Sequence, residues 1–371
     1  MRILLICPNF ETLGGVQEVV DSLAEKFAAA GHTVAVISTP GAAGPRRMPR
    51  ANVEIIRLDQ IPPYKPVTLR HLERLVRRRH ATTELIDRLR RWRPDVVNSH
   101  GAWYRLPTLA YVCRAIDVPL VHSIQGISPG AELDRDTLEA LADTCTVTAI
   151  SRAVKEYFEQ FSPVVRDARV IVGGVDCEAA RCAAPTRRER PYIFSAARLL
   201  LRSKALDVLI SAFGIIAARH PELDLVITGD GPDRERLEGQ IAAAGLGPRA
   251  EILGVRPRGE LWSLHKGATL FAMPSRWPEG LGLVFLEAMA CGVPVIGTKS
   301  GGTPEIVLDG ETGLLIERNE PEELAAAIRT LLDDSELTAR LRRRGAQLAA
   351  EYDWSKVAAR YLELYSRLGA N

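Results

Sequence analysis

Short runs of branched apolar residues punctuate the chain, and longer stretches with apolar positions three and four apart separate them. The runs are 3–7, 33–38, 95–98, 120–124, 147–150, 192–196, 223–228, 269–273 and 293–296. Apolar runs that do not alternate with polar residues suit strands of a parallel sheet covered on both faces. Between the first two runs, Val16, Val19, Val20, Leu23, Ala24 and Phe27 recur at helical spacing, and Gly31 ends the helix. The rhythm lapses in the charged, proline-bearing stretch Arg181 to Pro191, which reads as a linker, and then restarts. The pattern therefore predicts an α/β chain with two doubly wound domains, residues 1–180 and 181–353. A last helix over about 354–371 carries Trp354, Val357, Tyr361, Leu364 and Leu368 as one apolar stripe. Two such domains facing each other place ligands beyond the carboxyl ends of their strands, in a central cleft.

Composition narrows the partners. A length of 371 residues lets each domain bury its own core, and a formal charge of +2 argues against a nucleic-acid binder. The first apolar run is too short for a signal-peptide core and nothing approaches a membrane span, so a cytoplasmic location is expected. Cysteines 7, 113, 145, 177, 182 and 291 show no zinc spacing and read as reduced, mostly buried thiols. Arg70, Arg74, Arg77, Arg78, Arg79, Arg88, Arg90, Arg91 and Arg93 crowd one helical segment. That segment suits peripheral contact with an anionic membrane on its inner face, or an anionic acceptor. An ordinary solvated helix, with Leu72, Leu75 and Val76 turned inward, fits the same pattern.

The chemistry concentrates between Met273 and Gly297, which reads as strand end, glycine loop, helix, stop and new strand. Gly280 and Gly282 allow close approach of backbone to a ligand, and a helix starting near Leu283 points free amides at it. Glu279 precedes this phosphate-type site and Glu287 follows one turn into the helix. Carboxylates accept hydrogen bonds from sugar hydroxyls, so a nucleotide sugar suits the pair. A helix start with unremarkable acidic neighbours is the plain structural reading.

This run resembles the retaining glycosyltransferases of family GT4, the glycosyl transferases group 1, and the resemblance spans nearly the whole chain. It includes Gly14-Gly15, Ser195-Ala-Ala-Arg-Leu199 with Lys204, Ile227-Thr-Gly-Asp-Gly-Pro232, Gly301-Gly-Thr-Pro-Glu-Ile306 and Asp309-Gly-Glu-Thr-Gly-Leu314. The resemblance implies a GT-B fold of two Rossmann-like domains, acceptor-binding first and nucleotide-sugar-binding second, with the last helix returning to the first. It implies catalytic roles for Arg198 and Lys204, two cations that stabilise the departing diphosphate, and for Glu279 on the transferred sugar. Donor contacts are implied at Gly14, Gly15, Gly254, Arg256, Gly280, Leu281, Leu283 and Val284, with Glu287 on the ribose. No essential metal and no other cofactor are expected, because the Arg/Lys pair does the work of a metal ion. Asp134-Arg-Asp136 looks like the metal-binding Asp-x-Asp of a different glycosyltransferase fold but lies outside that context.

The acceptor side departs from the pattern. His100-Gly101 is similar to a recurring His-Gly of the family, whereas Gln125 stands where many relatives carry histidine, and glutamine cannot carry a proton. His122 faces the other side of its strand. Ala205 replaces the glycine common after Lys204, and Val172-Gly-Gly-Val-Asp176 replaces Pro-Asn-Gly-Val-Asp. The expected activity is retaining transfer of a hexose-type sugar, from a UDP-sugar in preference to GDP-mannose, to an acceptor hydroxyl in glycan, glycolipid or glycosylated-metabolite biosynthesis. The alternatives are a non-catalytic nucleotide-sugar-binding protein of the same fold, or a nucleotide-sugar epimerase or phosphorylase.

Overall fold

The structure, a computed structural model, describes residues 1–12, 14–39, 53–57, 72–101, 103–127, 133–317 and 320–369. It divides into two compact units, Met1–Gly173 with Trp354–Asn371, and Gly174–Asp353.

The first unit holds a parallel sheet of order β3-β2-β1-β4-β5-β6-β7. Its strands are β1 (Arg2–Pro8), β2 (Thr33–Thr39), β3 (Glu54–Arg57), β4 (Val96–His100), β5 (Leu120–Ile124), β6 (Cys145–Ala149) and β7 (Arg169–Val170). Helices α1 (Gly15–Ala29), α2 (Leu72–Trp92), α3 (Leu106–Ile116), α4 (Arg135–Thr144) and α5 (Arg152–Glu159) connect them. The second unit begins with α6 (Cys177–Cys182) and has the parallel order β10-β9-β8-β11-β12-β13. Its strands are β8 (Tyr192–Ala196), β9 (Asp224–Thr228), β10 (Ala250–Ile252), β11 (Leu270–Met273), β12 (Val295–Thr298) and β13 (Leu314–Ile316). Around them lie α7 (Leu206–Ala217), α8 (Arg234–Ala243), α9 (Arg258–Gly267), α10 (Leu283–Ala290), α11 (Pro321–Asp333) and α12 (Ser335–Glu351). The final helix α13 (Trp354–Leu368) belongs to the first unit and buries Trp354, Val357, Tyr361, Leu364 and Tyr365. Tyr365 meets the Phe27 ring of α1 edge-on at 5.7 Å.

The division between the two compact units falls at Gly173–Gly174, a little before the expected 180–181. Asp176 caps α6 by accepting from the Ala179 amide at 2.9 Å. Lys266 Nζ then donates to the carbonyls of Ala180 (3.0 Å) and Arg181 (2.7 Å). The Thr186 amide donates to the Ser263 carbonyl at 2.9 Å. Residues 181–191 are mostly exposed, as charge and proline suggest, while the Arg181 carbonyl and the Thr186 amide are tied to α9.

Beneath α13, the carboxyl halves of β4, β5 and β6 carry a buried polar layer. Asn98 Nδ2 donates to Tyr365 Oη (2.6 Å), and Ser123 Oγ donates to Asn98 Oδ1 (3.0 Å) and shares a hydrogen bond with Thr148 Oγ1 (2.8 Å). Pairing of Ser99 with His122 and of His100 with Ser123 puts the two histidines on opposite faces of the sheet. His122 lies against the Trp103 ring at 4.5 Å.

Burial pushes the pKa of both imidazoles down from 6.5 to about 3, with His122 adding repulsion to His100. Below pH 6.5 the unfolded chain takes up these protons while the folded chain refuses them. Stability is therefore full above about pH 6.5 and falls as pH drops toward 3. The expected slope between about pH 6 and 5 approaches two protons per molecule, roughly 2.7 kcal/mol per pH unit. Urea unfolding across that window reads it, and a flat profile would show that the imidazoles are hydrated.

Of the basic segment, Arg70 and the side chains of residues 72–80 lie outside the described residues. Further along α2, Leu85 and Leu89 are buried, and Arg90 donates to the Ala115 carbonyl at 3.2 Å. No described helix is long and apolar enough to cross a membrane.

Candidate active site

In the second unit, the loops after β8 and β11 are laced together by their backbones. The Ala205 amide donates to the Pro274 carbonyl (3.0 Å), and the Arg276 amide donates to the Ser203 carbonyl (2.8 Å). This lacing delivers Lys204 to Glu279. Lys204 Nζ and Ser275 Oγ both donate to Glu279 Oε1. The Lys204 and Glu279 side chains are only 18% and 16% exposed. A pair so far buried is better defined than a surface ion pair. Ala205 has φ −85°, which any L-residue adopts, so alanine for glycine leaves the loop path unchanged.

Glycine explains two of the sequence motifs. Gly301, at φ +57°, runs so close to Glu279 that a Cβ there would lie 2.2 Å from the Glu279 carbonyl oxygen. The next amide, of Gly302, donates to that same oxygen at 2.8 Å. Gly229 and Gly231 play the same part for the Arg198 loop: Cβ atoms there would lie 1.8 Å from Ala197 O and 2.3 Å from Leu199 O. Asp309 and Thr312 are structural, since Asp309 Oδ1 accepts from the Leu315 amide and Thr312 Oγ1 from the Leu308 amide, both at 2.8 Å.

Gly280, Leu281 and Gly282 form the turn into α10, with Gly282 at φ +86° as the residue before the helix and no side chain capping it. Leu281 is buried, while Leu283 and Val284 are half-buried at the first turn. Glu287, one turn further, faces α9. Arg258 Nη2 lies 3.4 Å from one carboxylate oxygen and His265 Nε2 lies 3.7 Å from the other. Burial raises the Glu287 pKa, but His265 and the Arg258 charge outweigh it and hold the carboxyl below its ordinary range. Glu287 is thus an anchored anion.

Sequence reasoning passed over Ser275, Arg258 and His265. Arg258 and His265 stand seven residues apart, two turns on one helix face, and that spacing was the available signal. Gly254 adopts φ +74°, and its carbonyl accepts from the Gly229 amide at 3.0 Å. Arg256 pairs with Glu260 (4.0 Å), one turn on in α9. Arg198 is exposed and lines an open depression with Arg202, Arg236 and Arg276.

In the first unit, Gly14 and Gly15 start α1. The Gly14 carbonyl accepts from the Glu18 amide at 3.0 Å, and Gln17 Nε2 donates to the Pro8 carbonyl at 3.3 Å. His100 and Gln125 are brought together: Gln125 Nε2 donates to His100 Nδ1 at 3.0 Å. His100, neutral and engaged, is not a free proton carrier. Asp134 Oδ1 accepts from the Thr137 amide at 2.9 Å, so the Asp-Arg-Asp triplet is the start of α4. Among the described residues no cluster of His, Cys, Asp or Glu could hold a metal ion.

Comparison with known proteins identifies the family and the fold. The family model "Glycosyltransferase Family 4" matches residues 13–179 and "Glycosyl transferases group 1" matches residues 178–348, so the two together run through both units. The chain belongs to glycosyltransferase family 4. It is 28% identical to a glycogen synthase of Mycobacterium tuberculosis over 98% of this chain and 94% of that protein. It is 38% identical to a GDP-mannose-dependent alpha-(1-6)-phosphatidylinositol monomannoside mannosyltransferase of Mycolicibacterium smegmatis, over 48% of each chain. The crystal structure of Anabaena HepE in complex with UDP and glucose superimposes with a TM-score of 0.79 at 22% identity, over 99% of this chain and 100% of that one. The fold is GT-B and the protein is a glycosyltransferase.

Proposed function

We infer that the protein transfers a hexose-type sugar from a nucleotide diphosphate sugar, a UDP-sugar in preference to GDP-mannose, to an acceptor hydroxyl with retention of anomeric configuration. The observation that carries this is the Lys204–Ser275–Glu279 cluster beside an uncapped helix start, with Glu287 anchored one turn away. Glu279 accepts from the sugar hydroxyls and Glu287 from the ribose. Lys204 and Arg198 take up the charge that grows on the diphosphate as the glycosidic bond breaks, and the α10 amides add their dipole. A fixed cation next to the leaving group removes the need for a divalent ion. The UDP complex of HepE, with the same fold, supports the choice of base, although the partly matching mycobacterial relative is named for GDP-mannose.

Retention arises by same-face attack, assisted by the departing phosphate. Glu279 is drawn to a lysine and a serine and serves as a hydroxyl acceptor, not as a nucleophile at the anomeric carbon. Intact mass after incubation with UDP-sugar should show no glycosyl adduct on wild type or on Glu279→Gln, and an adduct would establish a covalent route. Turnover should be unchanged after dialysis against EDTA. Product analysis without acceptor separates the alternatives, since an epimer or a sugar phosphate would replace the transferase reading.

A further inference from the structure

The donor reading uses Arg198 and Lys204 but leaves Arg202 and Arg236 without a role. These two, with Arg198 and Arg276, line an open depression of about 750 Å³ beyond the carboxyl ends of β8, β9 and β11. Its two carboxylates are already engaged. Arg276 holds Asp207 through both guanidinium nitrogens, at 2.7 and 2.8 Å. Asp233 Oδ2 accepts from the Leu201 amide at 2.8 Å instead of capping α8, the helix it precedes. Among the described residues, Arg198, Arg202 and Arg236 have no carboxylate partner within 4 Å, and Arg202 rests over the Trp277 ring at 5.2 Å. Arg202 and Arg236, two guanidinium forks from different segments beside an uncapped helix start, present donors from more than one direction. That suits a tetrahedral dianion better than a planar carboxylate. A depression of this size also has room for more than the ion itself.

We propose that the side of this depression formed by Arg202 and Arg236 is an oxyanion site of phosphate chemistry, distinct from the diphosphate position that Arg198 serves. It takes inorganic phosphate or a phosphate monoester borne by a second molecule. The inference rests on the donor reading only in calling the site a second one.

The test is titration calorimetry with inorganic phosphate, glucose 6-phosphate and glucose, on free and on UDP-saturated protein, for wild type and for the double variant Arg202→Gln/Arg236→Gln. Both side chains are exposed, so the variant should fold as wild type does. The expected result is phosphate binding that persists under saturating UDP and weakens about tenfold or more in the double variant, with UDP affinity within about twofold of wild type. Tighter binding of glucose 6-phosphate than of phosphate would identify a phosphorylated sugar as the source, and equal binding a free ion. Phosphate binding that UDP abolishes, or that the double variant retains in full, overturns the proposal. Should UDP itself not bind, the donor reading fails alone, because the phosphate titration of free protein still reads the site.

Discussion

Replacing Lys204 with Ala should lower kcat by about 10²- to 10³-fold, equivalent to roughly 2.7–4 kcal/mol of transition-state stabilisation, while UDP-sugar still binds. Lys204 sits where one side chain serves both structure and chemistry. Its ammonium group holds Glu279 in the resting protein and, in the proposed reaction, would meet charge that exists only as the bond breaks. Loss of the lysine leaves Glu279, a mostly buried carboxylate, with Ser275 as its remaining side-chain donor. Lys204→Arg should recover only part of the rate, since a planar fork cannot occupy the point position of an ammonium. Steady-state kinetics with a UDP-sugar reads both variants. A Lys204→Ala enzyme that lost affinity but kept kcat would assign the lysine to ground-state binding alone.

The second large effect is on stability. Gly301→Ala puts a methyl 2.2 Å from the Glu279 carbonyl oxygen at φ +57°, so clash and left-handed strain act together. We expect a loss of about 3–5 kcal/mol and a clear fall in the melting temperature, with activity falling as the Glu279 loop is pushed aside. Gly310→Ala is the control. Its φ is +70°, but nothing lies within 4 Å of the added carbon, so strain alone remains and about 1–2 kcal/mol is expected. Equal losses in the two variants would mean that Gly301 serves its dihedral angle and not the close approach.

The interior of both sheets was legible in the chain because strands covered on both faces carry near-continuous apolar runs, even though β4, β5 and β6 carry buried polar residues in their carboxyl halves. The strands that escaped notice are β3, β7, β10 and β13, which are the edges of the two sheets. Edge strands are half-covered and short, two to four residues here, so no continuous apolar run marks them. The Arg181–Pro191 stretch is mostly exposed, as its charge suggests. Its side chains are polar, but its backbone is held by Lys266 and Ser263, a tertiary capture that composition does not reveal.

The same division runs through the candidate site. Glu279, Glu287 and the glycine turn between them stand out because backbone approach and carboxylate spacing are local properties. The partners that fix those carboxylates come from other loops and helices: Lys204 and Ser275 for Glu279, Arg258 and His265 for Glu287. Arg256 and Arg258 differ by two positions, which turns them to different sides of the chain, and only the fold shows that Arg258 meets Glu287 while Arg256 meets Glu260. The glycines at 229, 231 and 301, which the sequence offered only as parts of family motifs, act as close-packing points for the loops that carry Arg198 and Glu279.

The claim that the second unit is a nucleotide-sugar site is tested most directly by calorimetric titration of UDP, GDP and ADP into wild type and Glu287→Ala. The account predicts saturable binding of UDP at one site, weaker binding of the other two nucleotides, and a loss of about tenfold or more in the variant, because an anchored carboxylate on the ribose contributes roughly 1.5–3 kcal/mol. Absence of binding by every nucleotide, or UDP binding that ignores the loss of Glu287, would contradict it.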